Sequence, residues 1–465
     1  MESDNNNIKS ELRRNFMLEG NLVKVIFLVA LPQVVTMLID SIYNMADAFF
    51  VSGLGEAAVA AVGVNDSLMM LIRAVSIGFG MGSASFISRA LGAKRDEDAS
   101  RAATTTLLTA IAVVGALAIF GSVFLEPLVN LLGATDNIRP FSMDYARWIL
   151  ISSPITAATV VLAQILRGEG STTFSMAGNV AGCVINIALD PIFISILGMG
   201  VAGAAIATSI SKSVSLIILL WPFIRKRCVI RLKLSFFSPT REIYSEIAKM
   251  GIPTMLRTSM MSVAAILINN VAAGFGDAAL AAISVANRSM RFIGAAVMGF
   301  SQGFQPIAGY SWGAKKYGRV LRSFLYTIAI GGIVGSVLGA GLAIFAEQTV
   351  RIFASGDDVT NLGTILIRSQ SIMLVPHVWV MIVTGLYQAL GDALKAGVLG
   401  LSRQLFVLIP CVLVMSFVFG EIGLAYSQAV SDALSFIMAA IMVIPMIKRL
   451  ISLDKETRSN SFDSV

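Results

Sequence analysis

The sequence is poor in charged residues and in the side chains that build metal sites and enzyme active sites. Charged residues make up 14% of its 465 residues, against about 25% in a typical soluble domain. It holds one histidine, and its three cysteines lack metal or disulfide spacing. A membrane-embedded enzyme would need histidine and acids at ligand spacing, so we expect no enzyme activity and no cofactor.

A nucleotide-binding motif is also missing. The stretch GFGMGS (78–83) is similar to a glycine-rich phosphate-binding loop. However, it lies inside an apolar run with no preceding strand and no following Lys-Ser/Thr. Gly78 and Gly82 instead have the GxxxG spacing of closely packed membrane helices, as do Gly331, Gly335 and Gly339. Any energy for transport would therefore come from an ion gradient or the membrane potential.

Apolar residues make up 56% of the chain, and the mean hydropathy is +0.80. Apolar runs of about 20 residues, the length that crosses a bilayer, recur without the alternation of a β-barrel strand, so we predict an all-α membrane protein. Twelve helices are predicted, at 22–51, 57–88, 102–125, 139–166, 172–197, 201–224, 243–273, 278–310, 320–346, 361–389, 394–419 and 423–447.

The basic residues lie mostly in alternate segments between these runs, while the remaining segments hold little beyond Arg139 and Arg351. This asymmetry predicts that both termini are cytoplasmic. It also explains the net charge of +7 by the membrane surface, so we expect no nucleic-acid partner. We predict a multi-pass membrane protein.

The two halves of the chain repeat each other with an offset of about 221 residues. LGEAAVAAVGV (54–64) corresponds to FGDAALAAISV (275–285), and GAKR (92–95) corresponds to GAKK (313–316). An even number of helices per repeat gives two bundles related by a pseudo-twofold axis along the membrane normal. The predicted segments are 1–21 (N-terminal segment), 22–224 (first bundle), 225–242 (linker), 243–450 (second bundle) and 451–465 (tail).

Several polar side chains fall at one depth of the first bundle. Tyr43 lies one helical turn before Asp47, and Asn186 lies one turn before Asp190. Thr208 lies at a similar depth on the sixth helix. Charged groups inside a membrane usually face a cavity or a partner, and oxygen-rich sites suit a hard cation or a shared proton. These five residues are the predicted ion-coupling site, with Na⁺ or H⁺ as the ion.

Simpler interpretations stay open at this stage. Asp47 could lie at a water-exposed helix end, and Asp190 could cap a helix before Pro191. Asp66 could lie at the solvated start of its helix. Asp40 lies two turns before Asp47 on the same face, which suggests the substrate path. The second half does not repeat the acids, because Ile268 takes the place of Asp47.

Flexible thioethers suit a cavity that accepts ligands of varied shape. Met69, Met260 and Met290 are therefore candidates for the substrate path, although plain packing explains most methionines. His377 follows a proline within the tenth helix and is another candidate for this path. A structural histidine and a proton relay are both open for it.

The chain resembles the multidrug and toxic compound extrusion (MATE) family, in particular its MepA-like bacterial branch. The resemblance covers nearly the whole sequence and is carried by ALPQ (30–33), MADAFFVSGLGEAAVAAV (45–62), SRALGAK (88–94), LRGEGSTTFSM (166–176), NIALDPIFI (186–194), MGIPT (250–254), LYQALGDALKAG (386–397) and LSRQLFVLIP (401–410).

The resemblance implies a V-shaped pair of six-helix bundles that exports organic cations in exchange for H⁺ or Na⁺. It implies that the first helix bends at Pro32, and that Asp47, Asp190, Asn186 and Thr208 are possible Na⁺ ligands. Another branch of the family carries a glutamate on the seventh helix. The corresponding stretch here, RTSMMSVAAILINN (257–270), has no acid.

Alternatives within and outside transport also stay open. The arginines of the second half, Arg257, Arg288 and Arg291, keep open a MATE-type carrier of a lipid-linked, anionic or metabolite substrate. A channel would show flux without saturation or exchange. We expect small organic cations and the lipid bilayer as partners, and a monomeric protein.

Overall fold

The structure is a computed structural model that describes residues 2–353 and 356–462, and it contains no β-strand in these ranges. The helices of the first half are α1 (Glu2–Glu19), α2 (Leu22–Ser52), α3 (Glu56–Gly92), α4 (Asp96–Val123), α5 (Leu125–Leu131), α6 (Arg139–Gly168), α7 (Thr172–Pro191) and α8 (Gly200–Ile224). Those of the second half are α9 (Arg241–Phe275), α10 (Asp277–Gly313), α11 (Tyr317–Ile344), α12 (Ala346–Phe353), α13 (Asp357–Ile372), α14 (Leu374–Leu390), α15 (Ala393–Leu401) and α16 (Ile409–Phe462). Single π-helical turns follow α7 (Ile192–Ile196) and α15 (Ser402–Leu408).

The all-helical membrane fold is confirmed, but the count of twelve spans is not fully reproduced. Within the described ranges, nine helices are long and apolar enough to cross a membrane, or ten if α13 and α14, bent by 49°, form one span. The predicted eighth helix, α10, is too polar to be among them. The predicted eleventh and twelfth helices run on as one apolar segment, kinked at Gly420. The number twelve therefore stays a prediction.

The repeat of 221 residues is visible in the backbone. Gly55 and Gly276 precede α3 and α10 with φ angles of 94° and 112°. Lys94 and Lys315 follow the same two helices with φ angles of 62° and 57°. Residues other than glycine seldom adopt this backbone conformation. The two halves therefore enter and leave corresponding helices through the same turns.

By packing, the chain divides into two compact units. The first unit comprises Met1–Phe16 and Val35–Met255, and the second comprises Met17–Val34 and Leu256–Val465. The division falls inside α2 and α9, shortly after Pro32 and Pro253. The boundaries predicted from the sequence follow loops instead, and they stay a prediction about the order of segments along the chain.

In each unit, a glycine allows close backbone contact between two helices. In the first unit, a methyl group on Gly82 of α3 would collide with the backbone carbonyl of Ile247 on α9. In the second unit, a methyl group on Gly303 of α10 would collide with the backbone of Ala30 on α2. Gly82 and Gly303 are 221 positions apart, so both repeats use the same close backbone approach.

A buried carboxylate organises the loop between α6 and α7. Glu169 is fully buried, and its Oε1 accepts hydrogen bonds from the Val229 backbone N–H (2.8 Å) and the Ser171 hydroxyl (3.4 Å). Arg13 donates to the Gly170 carbonyl at 3.1 Å. Burial raises the pKa of the Glu169 carboxyl, although Arg13 and the hydrogen bonds oppose the change. The loop thus fastens the segment after α8 to the first unit.

Gly82→Ala should destabilise the protein by about 1–3 kcal/mol, because the added methyl group has no room against a backbone. Gly63→Ala is the matched control, since it lies on the same helix with nothing within 4 Å of the added atom. Thermal unfolding of both variants in detergent measures the difference. Equal midpoints for the two variants would contradict the close packing of α3 on α9.

Glu169→Gln should flatten the pH dependence of stability. Since the pKa of Glu169 is higher in the folded than in the unfolded chain, the folded state binds this proton more tightly. The wild type should therefore lose stability as pH rises above about 4.3, the unfolded value. Unfolding midpoints between acidic and neutral pH test this against the exposed Glu56→Gln. An unchanged slope in Glu169→Gln would rule the effect out.

Candidate functional site

The five predicted ion-coupling residues come together within the first unit. Tyr43 and Asp47 lie one turn apart on α2, Asn186 and Asp190 lie one turn apart on α7, and Thr208 lies on α8. The Tyr43 hydroxyl hydrogen-bonds Thr208, and its ring is close enough to Asp47 and Asp190 to feel both charges. The residues that were predicted from helical spacing and common depth therefore lie in one cluster.

The Asn186 amide joins the two sides of this cluster. In one amide orientation, Nδ2 donates to the Thr208 hydroxyl at 3.3 Å. In the opposite orientation, Nδ2 donates to Asp190 Oδ2 at 3.0 Å and the amide oxygen accepts from the Thr208 backbone N–H at 3.1 Å. The second orientation satisfies both neighbours, so Asn186 orients the Asp190 carboxylate toward α8.

Asp190 is the most enclosed member of the cluster. Its side chain is fully buried, and Oδ1 has no hydrogen-bond partner within the described residues. The helix continues past Asp190 through Pro191 into a π-helical turn, so Asp190 does not cap a helix end. π-turns in membrane helices often accompany functional positions. A buried acceptor left without a partner costs about 1–3 kcal/mol, and a proton or a cation bound there would reduce this cost.

Asp47 is half-buried and has two acidic neighbours, Asp66 and Asp190, that repel its charge. Among the residues that the structure describes, no basic side chain lies within ion-pair distance of Asp47 or Asp190; Arg73 pairs instead with Asp40 at 3.3 Å. Asp66 itself is exposed. The cluster therefore carries uncompensated negative charge.

Tyr145 on α6 is a member of this site that sequence reasoning missed. Its side chain is 2% exposed, and its hydroxyl donates to the Met69 sulfur at 3.5 Å. It is close enough to Asp47 to feel the charge of that carboxylate. Met69 packs against an apolar cluster of the first unit that includes Tyr145. A search of every predicted span for hydroxyls at this depth would have found Tyr145.

The corresponding region of the second unit is a small neutral cavity. It has a volume of about 10 Å³ and is lined by residues that include Ile268, Asn287, Gln370, Ser427 and Gln428. Ile268 and Asn287 occupy the positions that correspond to Asp47 and Asp66 in the repeat. The volume is that of about one water molecule. This unit therefore does not duplicate the acidic cluster.

The remaining predicted substrate-path residues belong to the second unit. Met260 on α9 and Met290 on α10 are both partly exposed. His377 on α14 lies with its Nδ1 3.5 Å from Asp432 Oδ1. The same Asp432 oxygen accepts a hydrogen bond from Arg403 Nε at 2.7 Å. The histidine thus contacts an ion pair that the sequence did not suggest.

The donor set fits a monovalent cation rather than a transition metal. In the described part of the chain there is no group of three or more His, Cys, Asp or Glu side chains at metal-binding distance. The first-unit cluster offers two carboxylates, an amide oxygen and a hydroxyl. Such hard oxygen ligands suit Na⁺, and paired carboxylates equally suit a proton.

Comparison with known proteins links this chain to a family of transporters. The MatE family profile matches residues 32–192 and 253–413. The multidrug export protein MepA of Staphylococcus saprophyticus is 26% identical over 430 residues, covering 92% of this chain and 94% of that protein. A multidrug resistance MATE family transporter of the MOP superfamily, solved in an outward-facing conformation, has 28% identity and a TM-score of 0.89 over 94% of this chain and 98% of its own. A MOP superfamily transporter from Pyrococcus furiosus, described as having a binding pocket of reverse polarity that suggests a different function, has 28% identity and a TM-score of 0.87, with the same coverage of 94% and 98%.

Proposed function

Because this chain belongs to the MatE family of multidrug efflux transporters, we propose that it exports organic, mainly cationic compounds by antiport with H⁺ or Na⁺. The observation that carries this proposal is the buried Asp190 oxygen without a partner. It lies in a cluster with the half-buried Asp47 and without a basic partner. A small cation is the species that completes such a site.

Exchange follows from competition for the same negative charge. With Asp47 and Asp190 ionised, the first unit attracts a cationic compound. Binding of H⁺ or Na⁺ between the carboxylates, Asn186 and Thr208 removes that charge and lowers the affinity for the compound. The ion drives the change of state only by its differential affinity for the two states.

In our proposal, helix α2 changes its conformation when the ion binds to the site. It carries Tyr43 and Asp47, and it also contains Pro32, whose missing N–H removes one helical hydrogen bond. Proline is the common cause of a helix bend. In our proposal, neutralisation of the pocket lets α2 bend at Pro32.

The proposed substrate path begins next to this site. Asp40 lies two turns before Asp47 and forms an ion pair with Arg73, in which both side chains are partly exposed. A cationic compound can compete with Arg73 for Asp40. Met69 adds an adaptable apolar contact beside Tyr145. Met260, Met290 and His377 are proposed to serve the path within the second unit.

The bacterial relatives support a location in the plasma membrane. Within that membrane, we propose that both termini are cytoplasmic, since the basic residues cluster in alternate loops. We also propose that the protein works as a monomer.

A carrier of an anionic, lipid-linked or metabolite substrate is the second candidate. It is favoured by the second unit, in which Arg257 and Arg403 outnumber the single buried acid Asp432. The similar transporter from Pyrococcus furiosus, with its pocket of reverse polarity, supports keeping this candidate.

Transport in proteoliposomes with independently imposed pH and Na⁺ gradients tests the main proposal, with ethidium as the cation. Asp47→Asn and Asp190→Asn should each reduce gradient-driven transport about tenfold or more, the effect of losing at least 1.4 kcal/mol of ion binding. The gradient that drives the wild type identifies the ion.

Asp144→Asn is the matched control, because Asp144 is exposed and adjacent in sequence to the buried Tyr145. It should retain transport within about twofold, as surface substitutions usually do. Undiminished gradient-driven transport by Asp190→Asn would refute the proposed coupling site. Saturable export of an organic anion, without export of ethidium, would favour the second candidate.

A further inference from the structure

The charge balance of the second unit is the reverse of that in the first. Between residues 278 and 447, Asp432 is the one acid within the predicted spans, whereas the same unit places Arg257, His377 and Arg403 in its helices. Asp432 is 6% exposed. Arg257 and Arg403, which are both partly buried, therefore outnumber this acid.

Asp432 is already compensated. Arg403 Nε donates to Asp432 Oδ1 at 2.7 Å, and both side chains are largely buried. His377 Nδ1 lies 3.5 Å from the same oxygen. A carboxylate held by a charge-assisted hydrogen bond has its charge matched by that partner. It is therefore not available to neutralise a second arginine.

Arg257 is that second arginine. A methyl group on Gly400 would lie 2.8 Å from Arg257 Cδ, so the Arg257 side chain lies close against the last turn of α15 and would have to shift if that group were added. Gly400 is three residues before Arg403, and the two guanidinium groups are close enough to repel each other. Arg257 Nε is buried and has no hydrogen-bond partner within the described residues.

We propose that Arg257, with Arg403 beside it, binds the single anionic group of an amphipathic molecule, such as a sulfonate, phosphate or carboxylate. A guanidinium group presents its donors in a planar fork that matches such a group. An anion here balances the charge of Arg257, for which the described residues supply no ion-pair partner. Arg257 is only partly buried, so a ligand can reach it.

This site is separate from the proposed ion-coupling residues, which all lie in the first unit. The inference goes beyond the proposed export of cations, and it is tested by binding alone. Failure of ion-driven transport would leave it intact, and failure of anion binding would leave the coupling proposal intact.

Binding of 1-pyrenesulfonate and 1-pyrenemethylammonium, which share one aromatic frame and differ in charge, tests the site. The full chain is placed in nanodiscs of zwitterionic lipid, and fluorescence anisotropy is compared with empty discs. Arg257→Gln should weaken pyrenesulfonate binding about tenfold, while binding of the ammonium probe should not weaken. Arg257→Lys, which keeps the charge but not the fork, should give an intermediate loss.

Arg322→Gln is the matched control, because Arg322 is an exposed arginine of the same unit, and it should change binding less than about twofold. Gly400→Ala gives an independent test, since its methyl group must displace the Arg257 side chain, and it should also weaken pyrenesulfonate binding. Pyrenesulfonate binding no stronger than to empty discs, or an unchanged affinity in both Arg257→Gln and Gly400→Ala, would overturn the proposal.

The same experiment separates two sources of the anion. Phosphatidylglycerol added to the discs should compete with pyrenesulfonate in the wild type if a lipid headgroup is the natural ligand. Competition by soluble naphthalenesulfonate without competition by phosphatidylglycerol would point to a free amphipathic anion.

Discussion

A carboxylate inside a membrane helix has to be compensated, and the two repeats of this protein do so in opposite ways. In the second unit, Asp432 is matched by Arg403 at 2.7 Å. In the first unit, Asp190 has only uncharged hydrogen-bond neighbours, and one of its oxygens has none. The arrangement in the second unit is complete by itself, whereas we propose that a small cation completes the one in the first unit. Our proposal of ion coupling in one unit rests on this difference.

The repeats have kept their backbone and changed their side chains. The turns at Gly55 and Lys94 recur 221 residues later with nearly the same φ angles, and Gly82 and Gly303 make the same close approach. The glycines are constrained by sterics, because an added methyl group would meet a backbone at Gly82 and Gly303 or a positive φ angle at Gly55 and Gly276. The acidic positions are constrained only by chemistry. The position that corresponds to Asp47 can therefore hold an isoleucine, Ile268, without disturbing the fold.

The sequence was sufficient to predict the features that depend on residue spacing along one helix. Apolar runs located the helices, and the pairs one turn apart on α2 and α7 located the acidic cluster. It was insufficient where contacts join separate helices. The pairing of Arg403 with Asp432 and the place of Tyr145 beside Met69 depend on how α6, α14, α15 and α16 pack. The exchange of packing partners inside α2 and α9 was hidden for the same reason.

Asp47 and Asp190 differ in accessibility, and this difference suits the two partners of an exchange. Asp190 is fully buried and accepts a hydrogen bond from Asn186, and we propose it as the carboxylate that binds the small ion. Asp47 is half-buried on the same helix as the Asp40–Arg73 pair, where a larger organic cation can approach. The two charges repel each other across a short distance of low polarity. Neutralising the inner carboxylate therefore changes the field at the outer one, and a single pocket can make ion and cargo binding mutually exclusive.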